Sequence, residues 1–149
     1  MLKIIRLVLG PVSTNCYLIA DPATCDAIVI DPAWDGQEIQ MEAQKHDWKI
    51  DQLWYTHAHF DHFGGAGRLV EALKVANKTS TKSGLNTSQP SVVALHPLEM
   101  DLWRNLGGAP LFGFSMDSGP EPTVELAHNK ILHLGNIEFE VLHTPGHSP

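Results

Sequence analysis

The sequence predicts an α/β (α+β) domain, and three observations support that fold class. Short apolar runs alternate with turn residues over the first 31 positions, as in consecutive strands. Two stretches, 35–46 and 66–76, carry apolar residues at the three- and four-residue spacing of amphipathic helices. Further short apolar runs follow each helical stretch, so strands and helices alternate along the chain.

Composition limits the class of protein. The chain has 149 residues, of which 43% are hydrophobic and 18% charged, so we expect a single globular domain over residues 1–149. Ten Lys and Arg against seventeen Asp and Glu give a formal net charge of −7, which argues against a nucleic-acid partner. No run approaches the roughly 18 apolar residues that span a bilayer, so we expect no membrane partner.

The first part of the chain predicts three strands in an antiparallel meander, followed by a helix. The strands are 4–9, 16–20 and 27–30, each closed by a Gly-Pro or Asp-Pro turn. Asp35 precedes Glu38 by three positions, the spacing of a capping box, so the helix is predicted over 35–46.

A cluster of histidines follows the next predicted strand, 52–56. It reads His57-Ala58-His59-Phe60-Asp61-His62 and is followed by glycines at 64, 65 and 67 and the helical stretch 66–76. The cluster therefore lies between a strand and a helix, where sheet-and-helix folds commonly place ligands. We interpret the glycines as allowing the backbone to pack close to a metal.

The rest of the chain predicts loops and short elements. A Ser- and Thr-rich stretch predicts a mobile surface loop, and a Gly- and Pro-rich stretch is interpreted as a lid or an insertion. In chain order these elements are the loop 77–91, a strand over 92–95, a short helix from His96-Pro97 to about 105, the stretch 107–122, and strands over 123–126, 130–134 and 137–142.

The spacing within the histidine cluster predicts metal binding. In an extended chain, His57 and His59 leave from the same face, so both imidazoles can reach one ion. Asp61 and His62 follow where the chain turns into the helix and could bind a second ion, with Zn, Fe and Mn all suited to these ligands. His147, after a Pro-Gly turn, is the candidate third ligand of the first ion. The alternative is a solvated polar loop.

The other histidines and the cysteines receive simpler interpretations. His46, His128 and His133 are expected to be surface or core residues, and His96 to be structural. His143 could touch the site without binding metal. Cys16 is interpreted as a small buried residue rather than a nucleophile. Two cysteines are too few for a disulfide scaffold, so we expect free thiols and a cytoplasmic location.

The motif His57-x-His59-x-Asp61-His62, together with Thr144-Pro145-Gly146-His147, resembles the metallo-β-lactamase-fold superfamily. His62 and the Thr-Pro-Gly-His turn are most similar to its glyoxalase II-like hydrolases. The resemblance implies an αββα sandwich of which this chain would be the N-terminal half. Family members take a bridging Asp and a further His from their second half, so the resemblance implies a truncated sandwich.

The same resemblance implies a function. His57, His59 and His147 would bind one zinc ion, and Asp61 and His62 a second, with Asp61 also orienting the hydroxide that attacks a carbonyl. Asp31 would be a partner of one of these ligands. The implied activity is zinc-dependent hydrolysis of a small acyl substrate, with a hydroxyacyl thioester as first choice. A mononuclear-iron oxidoreductase resembling persulfide dioxygenases and a non-catalytic metal-binding remnant stay open as alternatives.

Overall fold

The computed structural model describes residues 1–79 and 89–149, with side chains described for all of these except 77–79. The described part contains eight strands and four α-helices, in addition to 3-10 turns at Pro97–Glu99 and Leu106–Phe112. In chain order they are β1 Lys3–Leu9, β2 Thr14–Ala20, β3 Asp26–Ile30, α1 Gly36–Lys45, β4 Lys49–Trp54, α2 Phe60–Phe63, α3 Ala66–Thr79, β5 Val92–Leu95, α4 Met100–Arg104, β6 Val124–Glu125, β7 Ile131–Leu134 and β8 Ile137–Glu140.

The main sheet has six strands in the order β1-β2-β3-β4-β5-β6. The first three pair antiparallel, which confirms the predicted meander, whereas β4, β5 and β6 extend the sheet in parallel from β3. Parallel strands end at the same edge of a sheet, so the residues that follow β3, β4 and β5 meet there. This edge holds Asp31, the histidine cluster and His96.

Both faces of the main sheet are covered over its inner strands, whereas the edge strand β1 is largely exposed. Helices α1 and α3 cover one face, and the β7–β8 hairpin covers the other. Burial on both faces explains why β3 and β5 are almost continuously apolar rather than alternating. The helical face includes Leu18, Val29, Leu53, Val93, Ile39 and Leu69, and the hairpin face includes Ile19, Ile28, Trp54, Ala94, Leu132 and Leu134. The described chain thus forms three layers: helices, main sheet and hairpin.

The start of α1 differs from the predicted capping box. Asp35 has φ 37° and ψ 48°, in the left-handed region, and its side chain makes no hydrogen bond to the helix. An N-cap side chain reaches the first-turn amides from extended backbone, which Asp35 does not adopt. Its carbonyl instead accepts the amide of Glu38 at 2.8 Å. The helix was correctly predicted, but the reason for its start was wrong.

The glycines after the histidine cluster pack against protein rather than beside the metal ligands. A Cβ on Gly65 would lie 2.3 Å from the carbonyl oxygen of Trp34. The Gly65 amide also donates to the carbonyl of Pro32 at 2.8 Å. Close approach of the α3 N-terminus to the 32–34 backbone therefore requires glycine at position 65, and the interpretation of a glycine loop against a metal was wrong.

The later elements agree with the prediction, with small shifts. Helix α3 extends to Thr79, beyond the predicted 76, and residues 80–88 of the predicted surface loop lie outside the described residues. Strand β8 ends at Glu140 rather than 142. The stretch 107–122, interpreted as a lid or an insertion, packs through Phe114 onto Phe60 and Trp34.

Across the described ranges, no helix combines the length and apolarity needed to span a membrane.

Leu134 tests the attachment of the hairpin layer to the main sheet. Its side chain is 1% exposed, whereas that of Ile131 on the same strand is 42% exposed. Leu134→Ala leaves a cavity and should lower the free energy of unfolding by about 2–5 kcal/mol. Ile131→Ala, the matched control, should change it by only about 0.5 kcal/mol. Denaturant unfolding measures both, and equal effects would contradict this account of the layer.

Candidate metal centre

Three histidines from distant parts of the chain converge at the carboxyl edge of the main sheet. His57 and His59 lie between β4 and α2, and His147 lies beyond β8. One ring nitrogen of each is within 4.8 Å of those of the other two. His59 Nδ1 and His147 Nε2 are 3.0 Å apart. Three imidazole nitrogens this close together form the kind of ligand set that transition metals bind.

The environment of His57 supports this interpretation. Its Nε2 is buried without a hydrogen-bond partner in the described structure, whereas its Nδ1 lies 3.0 Å from the Thr56 hydroxyl. A buried polar atom without a partner is unfavourable unless a ligand satisfies it. Burial, assisted by the nearby His62, lowers the pKa of His57 to about 4. The ring is therefore neutral at pH 7, which is the form that binds a metal.

Asp31 orients two of the histidines. Its buried carboxylate accepts the Thr56 amide and the Thr56 hydroxyl, each at 2.7 Å, and lies 2.9 Å from His62 Nδ1. Because Thr56 Oγ1 also contacts His57 Nδ1, the carboxylate acts directly on His62 and through Thr56 on His57. Contacts of this kind fix the ring orientation of metal-binding histidines. The structure thus places Asp31 beside a predicted ligand, as the resemblance implied.

Asp61 and His62 form a second group next to the three histidines. Both lie on α2, and Asp61 Oδ2 is 3.4 Å from His62 Nε2. The Thr14 hydroxyl donates to the same Asp61 oxygen at 2.7 Å. Burial lowers the pKa of His62, but the hydrogen bond and negative charge of Asp31 outweigh it and raise that pKa overall. With Nδ1 engaged by Asp31, His62 Nε2 is the nitrogen that faces Asp61.

Sequence reasoning missed the role of the two threonine hydroxyls. Thr56 was predicted only as the last residue of the strand 52–56, since threonine is common in strands, and Thr14 lay outside the predicted strand 16–20. The available signal was position: Thr56 directly precedes the histidine cluster, and Thr14 begins the strand next to β3.

The remaining histidines lie outside the three-histidine group. His46, His128 and His133 are exposed. His96 accepts the Leu98 amide at 3.4 Å at the start of a 3-10 turn, which agrees with its structural interpretation. His143 stacks on His96 with ring centroids 4.6 Å apart.

Cys16 lies in the core between the main sheet and its helices. Burial raises the pKa of its thiol to about 12, so it is not a nucleophile.

The sequence similarity to curated relatives extends over most of this chain. An uncharacterized protein of Aquifex aeolicus is 32% identical over 94% of this chain and 58% of its own length. The probable metallo-hydrolase YqgX of Bacillus subtilis is 30% identical over 97% of this chain and 61% of its own length. Hydroxyacylglutathione hydrolase GloC of Haemophilus influenzae is 26% identical, over 91% and 57%. The chain thus spans about three fifths of the length of these relatives.

Solved structures give the same result. TTHA1623, in a di-iron-bound form, matches with a TM-score of 0.73 and 30% identity over 97% of this chain and 63% of that one. The B3 metallo-beta-lactamase BLEG-1 matches with a TM-score of 0.71 and 28% identity over 100% and 64%. The family model described as the metallo-beta-lactamase superfamily matches residues 9–149. The chain therefore belongs to the metallo-beta-lactamase superfamily, whose αββα fold it shares in part.

Proposed function

We propose that this chain carries the metal centre of a hydrolase that cleaves small acyl substrates, with a hydroxyacyl thioester as first choice. The observation that carries the proposal is the convergence of His57, His59 and His147, with a buried His57 nitrogen that has no hydrogen-bond partner among the described residues. A superfamily of metal-dependent hydrolases matches most of the chain, which supports the reaction class. The two free cysteines are consistent with action in the cytoplasm.

Two ions are proposed, held by different residues. His57, His59 and His147 would hold the first through ring nitrogens, and Asp61 with His62 would contribute to the second. Zinc is the first choice because imidazole and carboxylate ligands suit it, and iron or manganese suit the same set. The ring nitrogens of the first set lie within 4.8 Å of one another, and His62 Nε2 lies 3.4 Å from Asp61 Oδ2 in the second set.

A divalent cation in such a site lowers the pKa of a coordinated water and polarises the substrate carbonyl. The chain's own residues would orient the reactants. Asp61 is held by the Thr14 hydroxyl at 2.7 Å, so its carboxylate has a fixed direction from which to accept a proton of the attacking water. Asp31 keeps the His57 and His62 rings in one orientation, which limits the reorganisation needed during the reaction.

The substrate class is supported by relatives and by charge. GloC of Haemophilus influenzae, 26% identical, is a hydroxyacylglutathione hydrolase by name. The formal net charge of −7 disfavours a nucleic-acid substrate and leaves a small molecule as the proposed partner.

Iron-dependent oxidation of a persulfide is the second candidate. Its support is the di-iron-bound form of TTHA1623, 30% identical, because a related protein that holds iron makes iron chemistry feasible here. Metal binding without turnover of either substrate would instead identify a non-catalytic metal-binding protein.

Metal content tests the centre itself. The purified chain should contain zinc, or iron in its place, by plasma mass spectrometry, and His147→Ala should lose most of it because one nitrogen of the three-histidine group is gone. His133→Ala is the control, since His133 is exposed on β7 outside this group. Equal metal content in the wild type and both variants would contradict the assignment.

Two assays on metal-loaded protein separate the candidate reactions. Thiol release from a hydroxyacyl glutathione thioester, without oxygen uptake, is the expected result. Oxygen uptake with glutathione persulfide by iron-loaded protein would replace hydrolysis by oxidation as the function. Asp61→Asn should reduce thioester hydrolysis by about 10²–10⁴-fold, because it removes a carboxylate that accepts a proton.

Asp31 and Asp21 allow a matched test of ring orientation. Both are buried and precede a proline, but Asp21 accepts the Ala23 amide in the β2–β3 turn, away from the histidines. Asp31→Asn should weaken metal binding by about 10–100-fold. It replaces one accepting carboxylate oxygen by an NH2 group, so the side chain can no longer accept all the contacts from Thr56 and His62. Asp21→Asn should leave metal affinity unchanged. Calorimetric titration with zinc measures both, and similar affinities for the two variants would refute the role of Asp31.

A further inference from the structure

Glu99 is a buried carboxylate that no step of the proposed function uses. It is 1% exposed, ends the 3-10 turn Pro97–Glu99 and directly precedes α4. Its side chain makes no hydrogen bond to the amides of α4, although it occupies the N-cap position. Oε2 instead accepts the backbone amide of Ala58 at 2.9 Å, across 41 positions of sequence. The carboxylate therefore serves the histidine cluster rather than its own helix.

Ala58 is the residue between His57 and His59. The orientation of the Ala58 backbone decides whether the side chains of His57 and His59 lie on the same face, where both could reach one ion. The Ala58 side chain is fully buried, and Glu99 supplies the acceptor for its amide. Without that acceptor, the unpaired buried amide would cost about 1–3 kcal/mol of stability. The local backbone would then rotate toward another acceptor.

A second contact from the same part of the chain holds the other side of this backbone. Gly107 has φ 59°, and a Cβ there would lie 2.6 Å from the Ala58 carbonyl and 2.3 Å from the Phe60 amide nitrogen. The Phe112 and Phe114 rings also pack on Phe60, with centroids 5.4 and 5.3 Å away. Residues 58–60 therefore pack against the connection between β5 and β6 on more than one side.

We propose that Glu99 is a positioning residue for the metal centre. By accepting the Ala58 amide, it holds the backbone between His57 and His59 so that both rings keep the spacing one cation requires. The inference rests on the proposed metal centre and assigns a role to a residue outside the ligand set.

The free-energy cost of burying the Glu99 carboxylate argues against a role in fold stability alone. Its Oε1 is buried and has no partner among the described residues. A well-packed apolar residue at such a position is commonly as stabilising as a buried charged group, or more so. An apolar residue would, however, leave the Ala58 amide without an acceptor. The carboxylate is thus explained by the amide it fixes.

The test compares two substitutions of Glu99 whose side chains have similar length but differ in whether they offer an acceptor to the Ala58 amide. Glu99→Gln keeps an oxygen for the Ala58 amide, whereas Glu99→Met keeps the volume and removes the acceptor. Calorimetric titration of the metal-free chain with zinc should show about 10–100-fold weaker binding for Glu99→Met, as for other contacts behind metal ligands. Glu99→Gln should bind zinc as the wild type does. Ile39→Ala is the control, since it removes a buried side chain of α1, a helix that carries none of the proposed ligands, and should lower stability but leave zinc affinity unchanged.

Two results would overturn the inference about Glu99 without contradicting the proposed metal centre. One is wild-type zinc affinity in Glu99→Met, and the other is an affinity for Glu99→Gln as weak as that of Glu99→Met. A wild-type chain that binds no zinc, iron or manganese would overturn the proposed centre and this inference with it.

Hydrogen exchange provides a measurement that needs no variant. In the metal-free wild type, the Ala58 amide should exchange slowly by NMR, because it is buried and donates to Glu99. Exchange at the rate of a solvent-exposed amide would overturn the inference even if Glu99→Met fails to fold.

Discussion

The hydrogen bonds of Asp31 connect the sheet to the candidate metal centre. Asp31 follows β3, and its amide donates to the carbonyl of Trp54 at the end of β4 at 3.0 Å. This backbone bond continues the parallel pairing of the two strands and brings Thr56 within 2.7 Å of the carboxylate. The His62 and His57 rings take their orientation from this point. A change in register between β3 and β4 would therefore disorganise both groups of ligands at once.

The layers around the main sheet determine which residues can reach that edge. Helix α3 packs against the sheet, and the chain at the end of α2 is held close to the 32–34 backbone, because Gly65 lies against it. On the opposite face, the β7–β8 hairpin packs through Leu132 and Leu134, and the chain then runs to His147. The helical layer thus places Asp61 and His62, whereas the hairpin layer delivers the third histidine.

Much of this arrangement could be predicted from the sequence because it depends on local patterns. Apolar runs closed by Asp-Pro turns indicated the meander, and the i, i+2 spacing of His57 and His59 indicated a shared face. Long-range contacts left no comparable signal. Glu99 lies 41 positions from the amide it accepts, and nothing in its neighbourhood distinguishes it from an exposed helical glutamate. The left-handed conformation of Asp35 is likewise invisible in a pattern that fits a capping box.

The separation of the three histidines along the chain gives a bound cation a mechanical role. His59 and His147 are 88 positions apart, and the segment from 144 to 147 is exposed. A cation between them would act as a cross-link that closes a long loop, much as a disulfide does, at an entropic cost that grows only slowly with loop length. Its binding free energy would then also be folding free energy for the last residues of the described chain. Metal supply would set how firmly that segment is anchored, as well as whether chemistry can occur.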